Sequence, residues 1–253
     1  MITDSFDTST ESITHPRAFI GEQGKLFDTC ILTFSHEIMA HAVEALGCAE
    51  VGCIGSVRGS TPIYAFERGG RTYGLFNVFV GSTMAANSVI ELNWAAGATK
   101  FIMFGSCGSL VGEKTGGKYI IPTKAYRDEG MSYHYAPPSD YIEIKNAPRI
   151  KAIFDGLGAP NVAGGVWTTD AFYRETYSER AIRVSEGCIA VDMELAGVQA
   201  VCDFHGFELY AFLTSGDVLD SPVYTPEGLH EANHSLEKLY LALKIAEIIL
   251  TPD

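Results

Sequence analysis

The stretch Cys188-Ile-Ala-Val-Asp192-Met193-Glu194 runs an apolar segment into two carboxylates, and Glu208-Leu-Tyr-Ala-Phe-Leu-Thr-Ser-Gly-Asp217 runs a second into another. The first reads as a buried strand passing into a helix over 193–205, the second as a strand over 207–215. Strands alternating with helices in this way signal an α/β sheet, which binds ligands outside the carboxyl ends of its strands. Acids delivered to one such edge suggest a site that grips hydroxyls and handles a proton. Each also has a plainer use. Asp192 and Glu194 suit a helix start near the positive end of the dipole, and Asp217 after Ser-Gly suits a turn.

Outward from this segment the same alternation continues. Residues 1–28 are polar and irregular and read as an arm ahead of the domain at 29–253. Strands are expected over 29–34, 50–54, 61–67 and 71–80, with Gly69-Gly70 as a hairpin turn. A helix over 35–46 starts at Ser35, and another begins after Gly81-Ser82-Thr83, where Ser82 or Thr83 reads as the N-cap. Its apolar residues Ala85, Val89, Leu92 and Ala96 recur at helical spacing up to Gly97. A strand over 100–104 exits into Gly105-Ser106-Cys107-Gly108-Ser109. Short strands and loops are expected over 117–146, a helix over 148–157, a strand over 162–167 and one long amphipathic helix over 226–250. Without repeats or a linker, the pattern implies a single three-layer αβα domain with a central mixed sheet.

The 253 residues suffice for a sizeable core, and 47% hydrophobic with 19% charged residues fits a globular chain. A formal net charge of −13 argues against nucleic-acid or anionic-membrane partners. The six cysteines, Cys30, Cys48, Cys53, Cys107, Cys188 and Cys202, form no CxxC pair and mostly lie in apolar segments, as buried thiols do. Metal-ligand spacing is not evident: His36 and His41 are five apart, the wrong interval for one helix face. With no basic leader and no apolar run near roughly 18 residues, a cytoplasmic protein is expected, with no metal and no cofactor.

The glycine-rich stretch at 105–108 could turn backbone amides and a serine hydroxyl toward an anion, or simply form a tight turn. It is neither a P-loop nor GxGxxG, which gives dinucleotide binding little support and leaves a doubly wound dehydrogenase only as the third reading. The segment 127–138 is dense in polar and aromatic groups, and Phe172 just past a strand could stack on a planar base or join the core.

On Phe104-Gly-Ser-Cys-Gly-Ser-Leu110, Asp192-Met193-Glu194 and Ser215-Gly216-Asp217, the chain resembles the nucleoside phosphorylases. That family contains the hexameric purine nucleoside phosphorylases, the uridine phosphorylases and related nucleosidases, and the resemblance spans about 28–250. It implies that Glu194 binds the ribose 2′- and 3′-hydroxyls, with Asp192 beside it in the triplet and Met193 under the sugar. Ser106 would touch phosphate, the co-substrate, while Cys107 and Gly108 lie beside the base and Phe172 stacks on it. Asp217 would protonate a purine ring nitrogen. Arg58 falls where the family reaches a neighbour's phosphate, and His15 matches an arm histidine that reaches a 5′-hydroxyl across a subunit boundary. A homodimer, or a hexamer as a trimer of dimers, follows from those two roles.

Two departures bear on the nucleophile. Thr33-Phe34-Ser35-His36-Glu37 replaces the family's Gly-Asp-Pro-x-Arg, and Met103 replaces a second arginine. Hydrogen bonds to charged groups contribute about 1.5–3 kcal/mol each, so losing two weakens phosphate by a few powers of ten. Either His36 and other donors substitute, or water is the nucleophile, with Glu37 as base. A nucleoside-binding protein without catalysis is the rival outside enzymes. The glutamine and arginine that read uracil are not evident in Arg174-Glu-Thr-Tyr-Ser178, and with Asp217 this favours purines.

Overall fold

Every residue of β1 (Thr29–Thr33) is buried because the strand is flanked on both sides, by β4 (Arg71–Asn77) and β5 (Lys100–Ser109), both parallel to it. The computed structural model describes residues 1–57, 59–220, 224 and 226–250. Arg58 therefore lies outside the described residues. The short α1 (Arg17–Ile20) belongs to the N-terminal arm, which lies along the end of α3 (Ser82–Ala96), where Gly24 N–H donates to Trp94 O at 2.9 Å. Past β1 come α2 (His36–Ala45), β2 (Ala49–Ser56) and β3 (Gly59–Arg68), the last joined to β4 by the two-glycine hairpin at Gly69 and Gly70, both at positive φ.

The second half supplies α4 (Gly112–Thr115), β6 (Tyr119–Asp128), β7 (Tyr141–Glu143), α5 (Ala147–Leu157), β8 (Asn161–Thr169) and α6 (Tyr177–Ser185). It ends in β9 (Cys188–Asp192), α7 (Leu195–His205), β10 (Glu208–Val218), α8 (Leu229–His234) and α9 (Glu237–Ile249). All the strands form one ten-stranded mixed sheet in the order β10-β6-β8-β9-β5-β1-β4-β3-β2, with β7 on β6. Because β10 also pairs with β5, the half made of β5, β10, β6, β8 and β9 closes on itself. No described helix is long and apolar enough to cross a membrane.

Three elements differ from the sequence reading. Gly105–Ser109 is not a turn but the second half of β5, pairing with β10 and, through Gly108 and Ser109, with β9. Glycine there serves packing: a Cβ on Gly108 would sit 2.6 Å from Leu219 Cδ1 and 2.8 Å from Val191 Cγ1. The single C-terminal helix is broken between His234 and Glu237, with Ser235 extended. Helix α6 is unanticipated, although Thr176 and Glu179 form a reciprocal capping box at its start.

Two local devices aim the acids. The β10–β5 register shifts between Ser215 and Asp217, a bulge at Gly216 that turns Asp217. Helix α3 is capped by Gly81 at φ 108°, not by Ser82 or Thr83, and it lies very close to α7. A Cβ on Gly197 of α7 would stand 2.0 Å from Ser82 Oγ, which itself donates to Glu129 at 3.1 Å. Overpacking of this kind costs about 1–3 kcal/mol. Gly197→Ala should therefore lower the urea midpoint correspondingly, and the loss should shrink when Ser82→Gly is present. An additive double variant contradicts this helix contact.

Candidate active site

At the carboxyl ends of β1, β5, β9 and β10 opens a cavity of about 270 Å³. Asp217, Glu194, Met193, Asp192, Phe172, Cys107, Gly108 and Ser106 all line it. The three acids singled out at the strand ends thus share one cleft. His15, expected to serve a neighbouring subunit, does not line this chain's own cavity; its ring packs edge-on against Trp94, with centroids 4.6 Å apart.

The paired acids of β9 and its exit have separate tasks. Asp192 accepts from Thr168 Oγ1 at 2.6 Å, Leu195 N–H at 2.8 Å and Glu194 N–H at 3.2 Å, so it is the cap that starts α7. Glu194 occupies the N-cap position without capping the helix. Its Oε1 instead accepts the Gly81 N–H at 2.7 Å, and the side chain faces the cavity. Burial, then the neighbouring charge of Asp192, raises the Glu194 carboxyl well above the ordinary range. Asp192 also rises through burial, opposed by its three donors, which favour the charged form.

Asp217 is buried, and burial raises its carboxyl even though Tyr224 hydrogen-bonds to it. Glu175, which the sequence reading passed over, lines the same region; burial, then Asp217, pushes it up to about 7. Phe172 is 41% exposed and sits between this cavity and an aromatic recess of about 380 Å³ walled by Tyr173, Tyr177 and Tyr224. Burial, then the charges of Asp192 and Asp217, raise the Cys107 thiol, which donates to Thr214 O at 3.4 Å.

A polar cluster faces the cavity from the other direction. Ser106 Oγ donates to Asn233 Oδ1, Ser35 Oγ lies 2.7 Å from His234 Nδ1, and Lys238 Nζ donates to Ala232 O. Lys238 is 1% exposed, and burial lowers its ammonium to about 8. His36, expected as a substitute donor, turns away; Nδ1 lies 2.7 Å from Asn77 Nδ2 and outside the cavity. Glu37 does not line the cavity either, with a side chain 63% exposed. Lys238 was legible as a cation on the buried stripe of α9 with Ala242, Ile245 and Ile249. The break before α9, which turns Asn233 and His234 inward, was not.

The polar loop 127–138 packs on itself. Arg127 donates to Ser132 Oγ at 2.8 Å and Pro137 O at 2.6 Å and lies over the Tyr133 ring, and no residue of 127–138 lines the cavity. Metal-ligand spacing, not evident in the sequence reading, is present at two histidines: Glu37, His230 and His234 bring ligating atoms within 4.8 Å of one another.

Residues 28–250 match the family model described as the phosphorylase superfamily. The DeoD-type purine nucleoside phosphorylase of Jannaschia sp. (strain CCS1) is 28% identical over 204 residues, covering 77% of this chain and 83% of that one. The crystal structure of AMP nucleosidase from Bacteroides thetaiotaomicron superposes with a TM-score of 0.68 at 26% identity, covering 88% and 89% of the two chains. The 5′-methylthioadenosine/S-adenosyl homocysteine nucleosidase of Campylobacter jejuni shares the fold, with a TM-score of 0.71 at 19% identity over 88% and 99%.

Glu175 gives a pH test of this geometry. Its folded value of about 7 lies above the ordinary 4.5, so its contribution is fully present below pH 4.5 and is lost as pH rises through 7. Glu175→Gln should leave stability near wild type at pH 5 and exceed it at pH 8, by about 1 kcal/mol after solvent screening. Urea melts at the two pH values check the sign; a gain confined to pH 5 contradicts the burial of Glu175.

Proposed function

The chain belongs to the phosphorylase superfamily, and on that premise we propose that it cleaves the N-glycosidic bond of a purine nucleoside with phosphate. The products are free base and ribose 1-phosphate. The observation that carries this reading is the shared cavity of Glu194, Asp217 and the buried Lys238.

Glu194 accepts hydrogen bonds from the ribose 2′- and 3′-hydroxyls on the face away from Gly81. Cationic character developing on the sugar favours its ionised form and is stabilised by it. Phe172 stacks on the base. Asp217, its carboxyl raised by burial, donates its proton to the ring nitrogen as the C1′–N bond breaks and the electron pair leaves with the base. Glu175 lies close enough to Asp217 to feel its charge, which supports a role in reading the same base. A phosphate oxygen forms the new bond to C1′, held by Lys238, Ser106 and Ser35. Lys238 thus stands in for the arginines replaced by Glu37 and Met103. Arg58 of a second copy would add a further cation, as in a dimer or a trimer of dimers.

Hydrolysis is the second reading, favoured by the apolar Phe34 and Met103 in the cavity wall and by the similarity to an AMP nucleosidase. Against it, Glu37 lies outside the cavity, and of Ser35, Ser106, Asn233, His234 and Lys238 only His234 could activate water, with its Nδ1 already engaged by Ser35.

Assay of a nucleoside panel with and without phosphate separates the readings. Phosphate-dependent release of base and ribose 1-phosphate is expected; free ribose at a phosphate-independent rate establishes hydrolysis, and no turnover removes both. Glu194→Ala should lower kcat/KM on the order of 10²–10³-fold, and Asp217→Asn about 10²–10⁴-fold with purines. Lys238→Met should raise KM for phosphate roughly 10–100-fold while leaving nucleoside binding intact. An unchanged phosphate KM in that variant refutes the lysine's role.

A further inference from the structure

Helix α8 carries His230-Glu231-Ala232-Asn233-His234, and its two imidazoles stand one turn apart with ring centroids 4.6 Å from each other. Glu37, in the first turn of α2, approaches the same face: its Oε1 is 3.7 Å from His234 Nε2. Histidines at i and i+4 put both rings on one helix face, the spacing by which helices hold zinc. A carboxylate from a second element completes a His₂Glu set, which leaves the fourth position of a tetrahedral ion open.

The outer contacts suit ligation as well. His234 Nδ1 lies 2.7 Å from Ser35 Oγ, and Ser35 is buried and fixed in turn by the Ile38 N–H at 3.1 Å. An imidazole whose remote nitrogen is held by a hydroxyl presents the other nitrogen in a fixed direction, the usual arrangement behind a metal-bound histidine. Two imidazoles with one carboxylate favour zinc-like ions over calcium or magnesium, which take oxygen ligands. The net charge of −13 favours cation approach.

We propose that Glu37, His230 and His234 form a binding site for a divalent transition-metal ion of the zinc class at the rim of the cavity. His234 ligates through Nε2 while its Nδ1–H donates to Ser35, and the open position takes water or an anionic oxygen. Glu231 is not one of the three and is exposed, so His230 and His234 supply the helix's ligands without it. The ion ties α8 to α2. Since α8 presses Leu229 toward Gly216 and holds Ser106 through Asn233, the ion also firms the wall beside Asp217. Metal binding of this kind stabilises the folded state by mass action. The site stands independently of which nucleophile the cavity uses.

Titration of the metal-stripped full chain with Zn²⁺ by calorimetry, and with Co²⁺ by visible absorption, tests the assignment. One equivalent per chain, a four-coordinate Co²⁺ spectrum and a raised melting temperature with Zn²⁺ are expected. His230→Ala and Glu37→Gln, both at exposed positions, should each weaken Zn²⁺ binding by about tenfold or more. His41→Ala, on the same helix as Glu37 but paired with Tyr240, should leave it unchanged. No saturable binding of either ion overturns the site. So does affinity retained within about tenfold in His230→Ala, or lost equally in His41→Ala.

Discussion

One backbone amide sets the register of the cavity: the Gly81 N–H, donating to Glu194 Oε1 at 2.7 Å. A buried carboxylate without partners costs several kcal/mol, and an amide donor offsets part of that, about 1.5–3 kcal/mol for a bond to a charged group. The close approach of α7 to α3 at a residue without a Cβ, Gly197, opposite Ser82, brings the two partners of that bond together. The helix pair and the carboxylate therefore hold one another. Asp192 secures the other end by capping α7 with its own carboxylate, which frees Glu194 to face the cavity.

Desolvation governs the chemistry of the interior in one direction for acids and the other for the lysine. It raises Glu194, Asp217 and Glu175 and lowers Lys238, and in each of them it is the largest influence. Such a cavity is poised for a ligand that supplies what water no longer does: hydroxyl donors for a carboxylate, a basic ring nitrogen for a carboxylic acid, negative charge for an ammonium. The proposed nucleoside and phosphate meet those three requirements together.

The elements readable in the chain were those where local pattern and tertiary demand agree. The apolar runs at 29–33, 100–104 and 188–192 are central strands, and Gly97 ends α3 in the left-handed region as a C-cap glycine should. Gly105–Ser109 looked like a turn because glycine breaks strands in isolation, yet it is strand because β9 and β10 both pair with it and fill the space a side chain would need. Helix α6 is short and mostly polar, with no fully buried residue and only Val184 packed on the core, so it was not recognised although its capping box was present.

Which residue types stand at the strand ends is a property of the sequence alone, and it was enough to single out Asp192, Glu194 and Asp217, with Phe172 and Ser106, before any coordinates. Which of them face a common space is not local information. The bulge at Gly216, the closure of β10 onto β5 and the break before α9 bring Asp217, Ser35, His234 and Lys238 to one cleft from segments up to about 200 residues apart. Side-chain spacing along a chain encodes only its neighbours on one helix or strand; meetings across such separations are decided by how the layers pack.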